Sequence, residues 1–562
     1  MRNAWVPWIS GLVGLLASPP AIGAQDEVRT WDVVEIELTA DGPAMANPYV
    51  DGLPEGGDGY VTALFRGSGG EAEGLEMALT GFWDGGATWK VRFAPPLPGE
   101  WTYRTQSRDS GLDGREGRFD CHPRSEEEKV ENPTRRGFVR VAGDGPRAGR
   151  HFEYADGTPF FWLGDTWWNW TKREIHFETF QRLADDRAAK GFNVGQLFFA
   201  GNGWGRSASL LDRTHRHPDL EHIREVERTI AYANAQGITV WIHAWWARPE
   251  MSETIGEENL RRWWRYVVHR LGAYNVFWVI GGEYNMHDYG GLGLDFWKDL
   301  GRLIAAEDPY QRLLGAHPTP PGWDGGAAAP QWSTAEVLHD EPWLDHHQSQ
   351  TGHGRWRNEL TPWIIAEAYA REPAKPIVVT EPWYEFVEGN PTAADVRFGA
   401  WSAVLSGAAG HSYGGGHVWR GHVPESPVGR GAWPLEAEFD RDTLDYAGAR
   451  AMAFMGQFFR GIDWWRLEPH PELVLENPSP YCAAVPGEEY VAFLRYGGVV
   501  KLDLSDAAAE EEFEYRWIDL VEERVRRTGT AAGGAVRTFH PPEDYPGVLE
   551  FKDWVLHVRK KE

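Results

Sequence analysis

The sequence predicts a central (β/α)8 barrel with a β-sandwich on either side. Three observations predict it. Short apolar strands alternate with amphipathic helices between residues 137 and 460, strand-like segments without a helical period precede them, and a second such run follows. A chain of 562 residues is too long for one ordinary domain, and a hydrophobic content of 42% is ample for several packed cores.

Residues 1–24 read as a secretory signal. Arg2 supplies the positive end, VPWISGLVGLLA (6–17) is apolar but short for a membrane span, and cleavage fits after Ala24. A secreted or periplasmic protein is expected, with no membrane association in the mature form. Residues 25–125 alternate strand-like segments, such as VVEIEL (33–38), YVTALF (60–65), WKVRFAP (89–95) and EWTYRT (100–105), with Gly and Pro punctuation. They predict the first β-sandwich. The charged, breaker-rich stretch RSEEEKVENPTRR (124–136) predicts a linker over 126–136.

The barrel follows. Its eight predicted strands are FFWLGDT (160–166), FNVGQLFF (192–199), ITVWIHAWW (238–246), VFWVIGGE (276–283), RLLGAHP (312–318), LDHHQSQ (344–350), PIVVTE (376–381) and AVLSGAAGHSY (403–413). Helical periods fall between them at 176–191, 220–237 and 257–274. A doubly wound open sheet is the alternative, but no Gly-rich phosphate loop follows any strand. From 461 to 562 the helices stop, and YVAFLRYG (490–497), VVKLDL (499–504), FEYRWIDL (513–520) and DWVLHVRK (553–560) predict the second β-sandwich.

Composition narrows the partners. A formal charge of −27 argues against nucleic acid and anionic membranes, both of which need clustered Lys and Arg. The 31 tryptophans suit a protein that stacks on flat apolar faces such as sugar rings, although most are expected in cores. Cys121 and Cys482 lie in different predicted domains and are expected to be free, buried thiols.

Catalytic groups of such a barrel sit at the C-terminal ends of its strands. The residues collected there are Asp165, Asn193, Gln196, His243, Glu283, His317, His347, Gln348, Glu381, His411 and Tyr413, interleaved with Trp167, Trp168, Trp245, Trp246 and Trp383. Carboxylates, imidazoles, amides and indoles together suit a polyhydroxylated ligand. Glu283 and Glu381 close the fourth and seventh strands after apolar runs, on opposite sides of the predicted mouth. Two carboxyl groups aimed into one cavity can have their pKa values driven apart, which is what hydrolysis of a glycosidic bond requires. Glu385 competes for the role of Glu381 but falls past the strand. Asp165 is expected either to bind a substrate hydroxyl or to cap the next helix. His346 and His347 are adjacent on a strand and so point to opposite faces, and no HExxH or CxxC spacing occurs, so neither metal nor cofactor is expected.

PFFWLGDTWW (159–168), GFNVGQLFF (191–199), VFWVIGGEYN (276–285) and PIVVTEPWYE (376–385) resemble the apiosidase-like glycoside hydrolases. The segments NPYVDG, GFWDGG and VRFAPPLPGEWTYRT resemble the β-sandwich often found before such barrels. YRWIDL and DWVLHVRK resemble a collagen-binding-like β-domain often found after them; that label is a family name only. The resemblance implies membership of the large retaining (β/α)8 clan, with Glu283 as acid/base and Glu381 as nucleophile. Many apiosidase-like sequences carry Asp where this chain has Glu283, and Gly282 stands where the wider clan usually has Asn.

The expected function is therefore hydrolysis of a plant or algal polysaccharide, with a poly- or oligosaccharide as partner. Two alternatives belong to other classes. One is a polysaccharide lyase using His411 or Tyr413 to abstract a proton beside a uronate. The other is a carbohydrate-binding protein without catalysis.

Overall fold

The structure is a computed structural model that describes residues 27–42, 61–145, 147–200, 209–215, 217–320, 331–421, 441–477, 479–542 and 552–561. The expected signal segment and the NPYVDG motif lie outside the described residues.

The barrel forms as predicted. Its strands are β1 (Trp162–Thr166), β2 (Val194–Phe198), β3 (Thr239–His243), β4 (Val276–Val279), β5 (Leu314–Gly315), β6 (His347–Gln350), β7 (Ile377–Glu381) and β8 (Gly410–Tyr413). They make one eight-stranded parallel sheet in the order β5-β4-β3-β2-β1-β8-β7-β6. The principal outer helices are α1 (Phe177–Ala189), α2 (Leu220–Ala235), α3 (Glu257–Leu271), α4 (Leu294–Glu307), α5 (Arg355–Tyr369), α6 (Ala393–Leu405) and α7 (Ala447–Arg460). Between β5 and β6, the backbone N–H of Asp345 donates to the Leu314 carbonyl at 3.1 Å and Leu314 N–H donates to the Asp345 carboxylate at 2.8 Å.

Large aromatics fill the barrel. Trp162, Trp241 and Phe277 pack inside it with Phe152 and Phe160 beneath. The rings of Trp162 and Phe277 stack with centroids 5.3 Å apart. A hydrophobic segment thus need not face outward: both strand faces are buried, as a sheet covered by helices requires.

One expectation changes. AVLSG (403–407) is not strand: α6 runs through Leu405, and β8 begins only at Gly410. Continuous apolar sequence does not tell a buried helix from a buried strand. The segment expected as a linker, 126–136, is itself ordered. Glu126–Glu131 is helical, with Ser125 and Glu128 forming a capping box, and Pro133–Arg136 is a 3-10 turn capped by Asn132. Asn132 then donates to the carbonyls of Asn234 and Ala235 at the end of α2, which docks the segment on the barrel.

The flanking β regions each contain two sheets. Five- and three-stranded sheets enclose a core that includes Phe65, Trp89, Phe93 and Trp101. Six- and three-stranded sheets enclose Phe513, Trp517 and Trp554 at the other end. Both are tied to the barrel. On the N-terminal side, Arg92 bonds Glu35 at 2.8 Å and also Glu227, while Arg270 bonds Glu227 at 2.7 Å and Asp84 at 2.9 Å. These charges are buried, so each depends on its partners. On the C-terminal side, Phe398, Trp401 and Phe459 share one core with Val491, Phe493 and Ile518. The two cysteines are free and buried.

Candidate active site

Alternation along each strand decides which residues reach the mouth. On β7, Val378 faces the barrel interior and Val379 faces the helices. Strict alternation would turn Glu381 outward, away from any substrate. The register prevents this. Ser349 pairs with Val379 but Gln350 pairs with Glu381, leaving Thr380 as an extra residue. Such a bulge re-aims the following side chain. As a result both Thr380 and Glu381 meet His317: Thr380 Oγ1 lies 3.2 Å from Nδ1, and Glu381 Oε2 lies 3.0 Å from Nε2.

Glu381 has further donors. His353 Nε2 is 3.5 Å from Oε1. The backbone N–H of Tyr384 points at His353 Nδ1 at 3.5 Å, which assigns the ring proton to Nε2 and directs it at the carboxylate. The Tyr384 hydroxyl, which accepts from Trp168 Nε1 at 2.7 Å, also bonds Glu381. Burial by itself would raise the pKa of Glu381. Hydrogen bonds from His317 and His353 outweigh it and bring it down to about 2.

Glu283 comes from a different construction. It lies just beyond β4 with φ of +47°, a left-handed conformation uncommon for a non-glycine residue. Gly282 precedes it because Trp246 lies there: a Cβ at 282 would sit 2.2 Å from the Trp246 ring. Trp246 in turn donates from Nε1 to Glu283 Oε2 at 2.9 Å. Glycine at 282, where the wider clan places Asn, is thus coupled to an indole that holds Glu283. Gln350 donates to Oε1 at 3.2 Å. The pKa of Glu283 is raised from its ordinary 4.5, first by burial and second by the charge of Glu381, against the opposing bonds from Trp246 and Gln350.

The two carboxylates therefore share one cavity wall. Gln350 is the strand partner of Glu381 and the amide donor to Glu283. The ring of Trp246, bonded to Glu283, is 5.8 Å from the ring of His317, bonded to Glu381. Trp168 packs 5.4 Å from Trp246, 5.5 Å from His317 and 4.8 Å from His243, which closes the floor with apolar surface.

A family model, "Apiosidase-like, catalytic domain", matches residues 146–466. The chain belongs to the apiosidase-like family of glycoside hydrolases. A second model, the domain of unknown function DUF5060, matches residues 27–108. A glycoside hydrolase of Bacteroides vulgatus ATCC 8482 shares the fold over 96% of this chain and 100% of its own, at 18% identity and a TM-score of 0.69. A family 5 glycoside hydrolase from the same organism covers 76% of this chain and 94% of its own, at 21% identity and a TM-score of 0.65. No curated protein matches the chain.

Several residues expected at the site of this apiosidase-like hydrolase lie elsewhere. Asp165 is fully buried on the outer face of β1, where it accepts from Arg187 of α1 at 2.5 Å and from Trp167 at 3.0 Å. It serves an ion pair between barrel and helix, not a sugar. Trp167 and Trp245 belong to the core under the helices. Asn193 bridges the lower ends of β1 and β2 by accepting from Leu163 N–H and donating to the Phe161 carbonyl. His347 faces outward onto His339, with their nitrogens 3.0 Å apart. His346 faces inward beside Trp162 and Phe152, so the two neighbours do point to opposite faces. Gln348 is inside the barrel against His346, well within the wall. Gln196 also lies inside, donating to the Thr380 carbonyl. Trp383 is tied to the carbonyls of Val387 and Glu388 in the loop after β7.

His411 pairs in register with Leu163 and Val379, both helix-facing, and so turns away from the cavity. Tyr413 likewise faces outward and donates to Glu385 at 2.7 Å. Glu385, the rival to Glu381, accepts from Gly448 N–H in the first turn of α7. It is an anchor for that helix. The lyase reading loses both of its proposed bases by this placement. Gln350, His353 and Tyr384 were missing from the expected set, whereas Trp246 was in it. Gln350 had a readable signal, being the last residue of its strand and two beyond an inward Gln348.

Proposed function

We propose that Glu283 and Glu381 hydrolyse a glycosidic bond by double displacement. The observation that carries this reading is the divergence of their environments: hydrogen bonds from His317 and His353 hold the Glu381 carboxyl below its ordinary range, while burial and the charge of Glu381 push that of Glu283 above it. Glu283 donates its proton to the leaving oxygen as Glu381 attacks the anomeric carbon. Water, deprotonated by Glu283, then releases the sugar from Glu381. Trp168 and Trp246 supply apolar surface beside the two carboxyl groups, with His243 packed behind them. The substrate class is a plant or algal polysaccharide, consistent with the indole-rich cavity.

The test is the Glu283→Ala variant with an aryl glycoside that needs no protonation of its leaving group. The glycosyl-enzyme should form and stall, and added azide should restore turnover as a glycosyl azide of retained configuration. An azide product of inverted configuration would instead mean that azide attacks the substrate directly, with no glycosyl intermediate on Glu381, and would reject the roles given to the two carboxyl groups.

The protein is also proposed to be exported, on the strength of residues 1–24. The mature N terminus is then expected at Gln25, read by terminal sequencing of material from the medium or periplasm. Finding Met1 there would reject cleavage.

A further inference from the structure

Among the described residues, only two tryptophans are strongly exposed, Trp356 at 51% and Trp363 at 52%. A chain that buries nearly all its other described indoles leaves these two on one helix. They lie seven positions apart on α5, which is two turns, so their side chains share a face about 10 Å apart. The same stripe carries Glu359 between them, and the buried residues Asn358, Thr361, Ile364, Ile365 and Ala368 form the opposite face. Neither burial nor helix stability explains the indoles there. Trp363 is braced by Trp332, whose ring meets it edge-on at 5.6 Å.

Two further features give the stripe a direction. At one end, α5 begins immediately after the loop that holds the nucleophile: Gly352 N–H donates to the Glu381 carbonyl at 3.1 Å, His353 bonds the Glu381 carboxylate, and Trp356 is three residues on. Arg357 links these parts by donating to the His353 carbonyl at 2.7 Å while its guanidinium lies 4.9 Å from the Trp356 ring. On the flank, Glu359 takes a forked bond from Arg495 of the C-terminal β region, at 2.7 and 2.6 Å. The next residue, Tyr496, is 49% exposed. The C-terminal region therefore brings an exposed aromatic residue next in sequence to the arginine that is ion-paired to the stripe.

We infer that Trp356, Trp363 and Tyr496 form an aromatic platform that binds a polysaccharide chain outside the catalytic cavity. The occupant is a glycan because the platform is continuous with the loop carrying Glu381, because its aromatic faces are spaced along a line rather than clustered, and because hydrogen-bonding groups accompany them. Indoles on a helix can stack on the apolar faces of successive sugars, holding an extended chain whose end or interior reaches the carboxylates. The proposal deepens the hydrolase reading by assigning it a polymeric substrate, and it gives the C-terminal β region a part in substrate capture. Binding itself does not depend on turnover.

The test uses the full chain carrying Glu381→Gln, so that glycan stays intact. Migration is compared in native gels cast with glucomannan, xylan or polygalacturonan. The parent should be retarded in at least one gel. Adding W356A and W363A together should weaken the apparent affinity by about tenfold or more, which is about 1.4 kcal/mol. Y496A should give a smaller loss in the same gel. Circular dichroism confirms folding, which exposed positions should leave unchanged. The inference is overturned if no gel retards the parent, if retardation survives loss of both indoles, or if sedimentation shows a dimer that W356A and W363A dissociate. Failure of the catalytic reading would show separately, as turnover retained by Glu381→Gln.

Discussion

Replacing Glu381 with Gln is expected to reduce turnover by several orders of magnitude while leaving the fold intact. Glutamine keeps the volume and one oxygen but cannot attack the anomeric carbon, and removing a covalent nucleophile costs far more than removing a binding contact. The fold should hold because Glu381 is no structural keystone. It ends β7 beside a bulge; the amide oxygen can accept from His353 Nε2–H, and the amide N–H can donate to His317 Nε2 in the tautomer protonated at Nδ1, which faces Thr380. Thermal unfolding of the variant should match the parent closely. Glu283→Gln should behave differently, losing about 10²–10⁴-fold on substrates with poor leaving groups and much less on activated aryl glycosides. Equal losses for both variants on all substrates would remove the division of labour between them. Glu385→Gln is the control for position: it should spare chemistry and instead loosen the start of α7, where its carboxylate caps Gly448.

The fold was legible because the barrel's alternation of strand and helix is a long-range pattern that survives local errors. The site was legible in part. Strand ends marked Glu283, Glu381, His243 and His317, since position along a strand sets height in the barrel. What sequence could not supply was the face. In a half-exposed strand the polar residues show which side is wet. Here both sides are buried, so Asp165, His347, His411 and Tyr413 looked like mouth residues although they pair with helices. They carry polar chemistry for another reason. Buried outer-face charges such as Asp165 and Arg187 fix the helix layer against the barrel. The bulge at Thr380 reverses the rule again: it brings Glu381 inward against the parity of its own strand, and no residue type announces it. Two partners of Glu381 were missed for a related reason. His353 and Tyr384 lie in loops, where neither periodicity nor strand ends give a height.

The rate should depend on pH as a bell, each limb of which responds most to a different substitution. Catalysis needs Glu381 ionised and Glu283 protonated. The acid limb therefore follows Glu381, held at about 2, and the basic limb follows Glu283, raised above its ordinary 4.5. The optimum of kcat/KM falls between them. Removing His353 as H353A deletes a bond that favours the Glu381 carboxylate, so its pKa rises and the acid limb moves to higher pH. Replacing Trp246 by Phe deletes a bond that favours ionised Glu283, so that pKa rises too and the basic limb moves to higher pH. The two variants thus act on opposite sides of the optimum, one narrowing the bell and the other widening it. Both depend on the same physical asymmetry: a carboxylate surrounded by donors stays charged, and its charge then keeps a second, less well solvated carboxyl group protonated. If either variant shifts both limbs together, the pair titrates as a single coupled unit, and the separate roles given to 283 and 381 no longer hold.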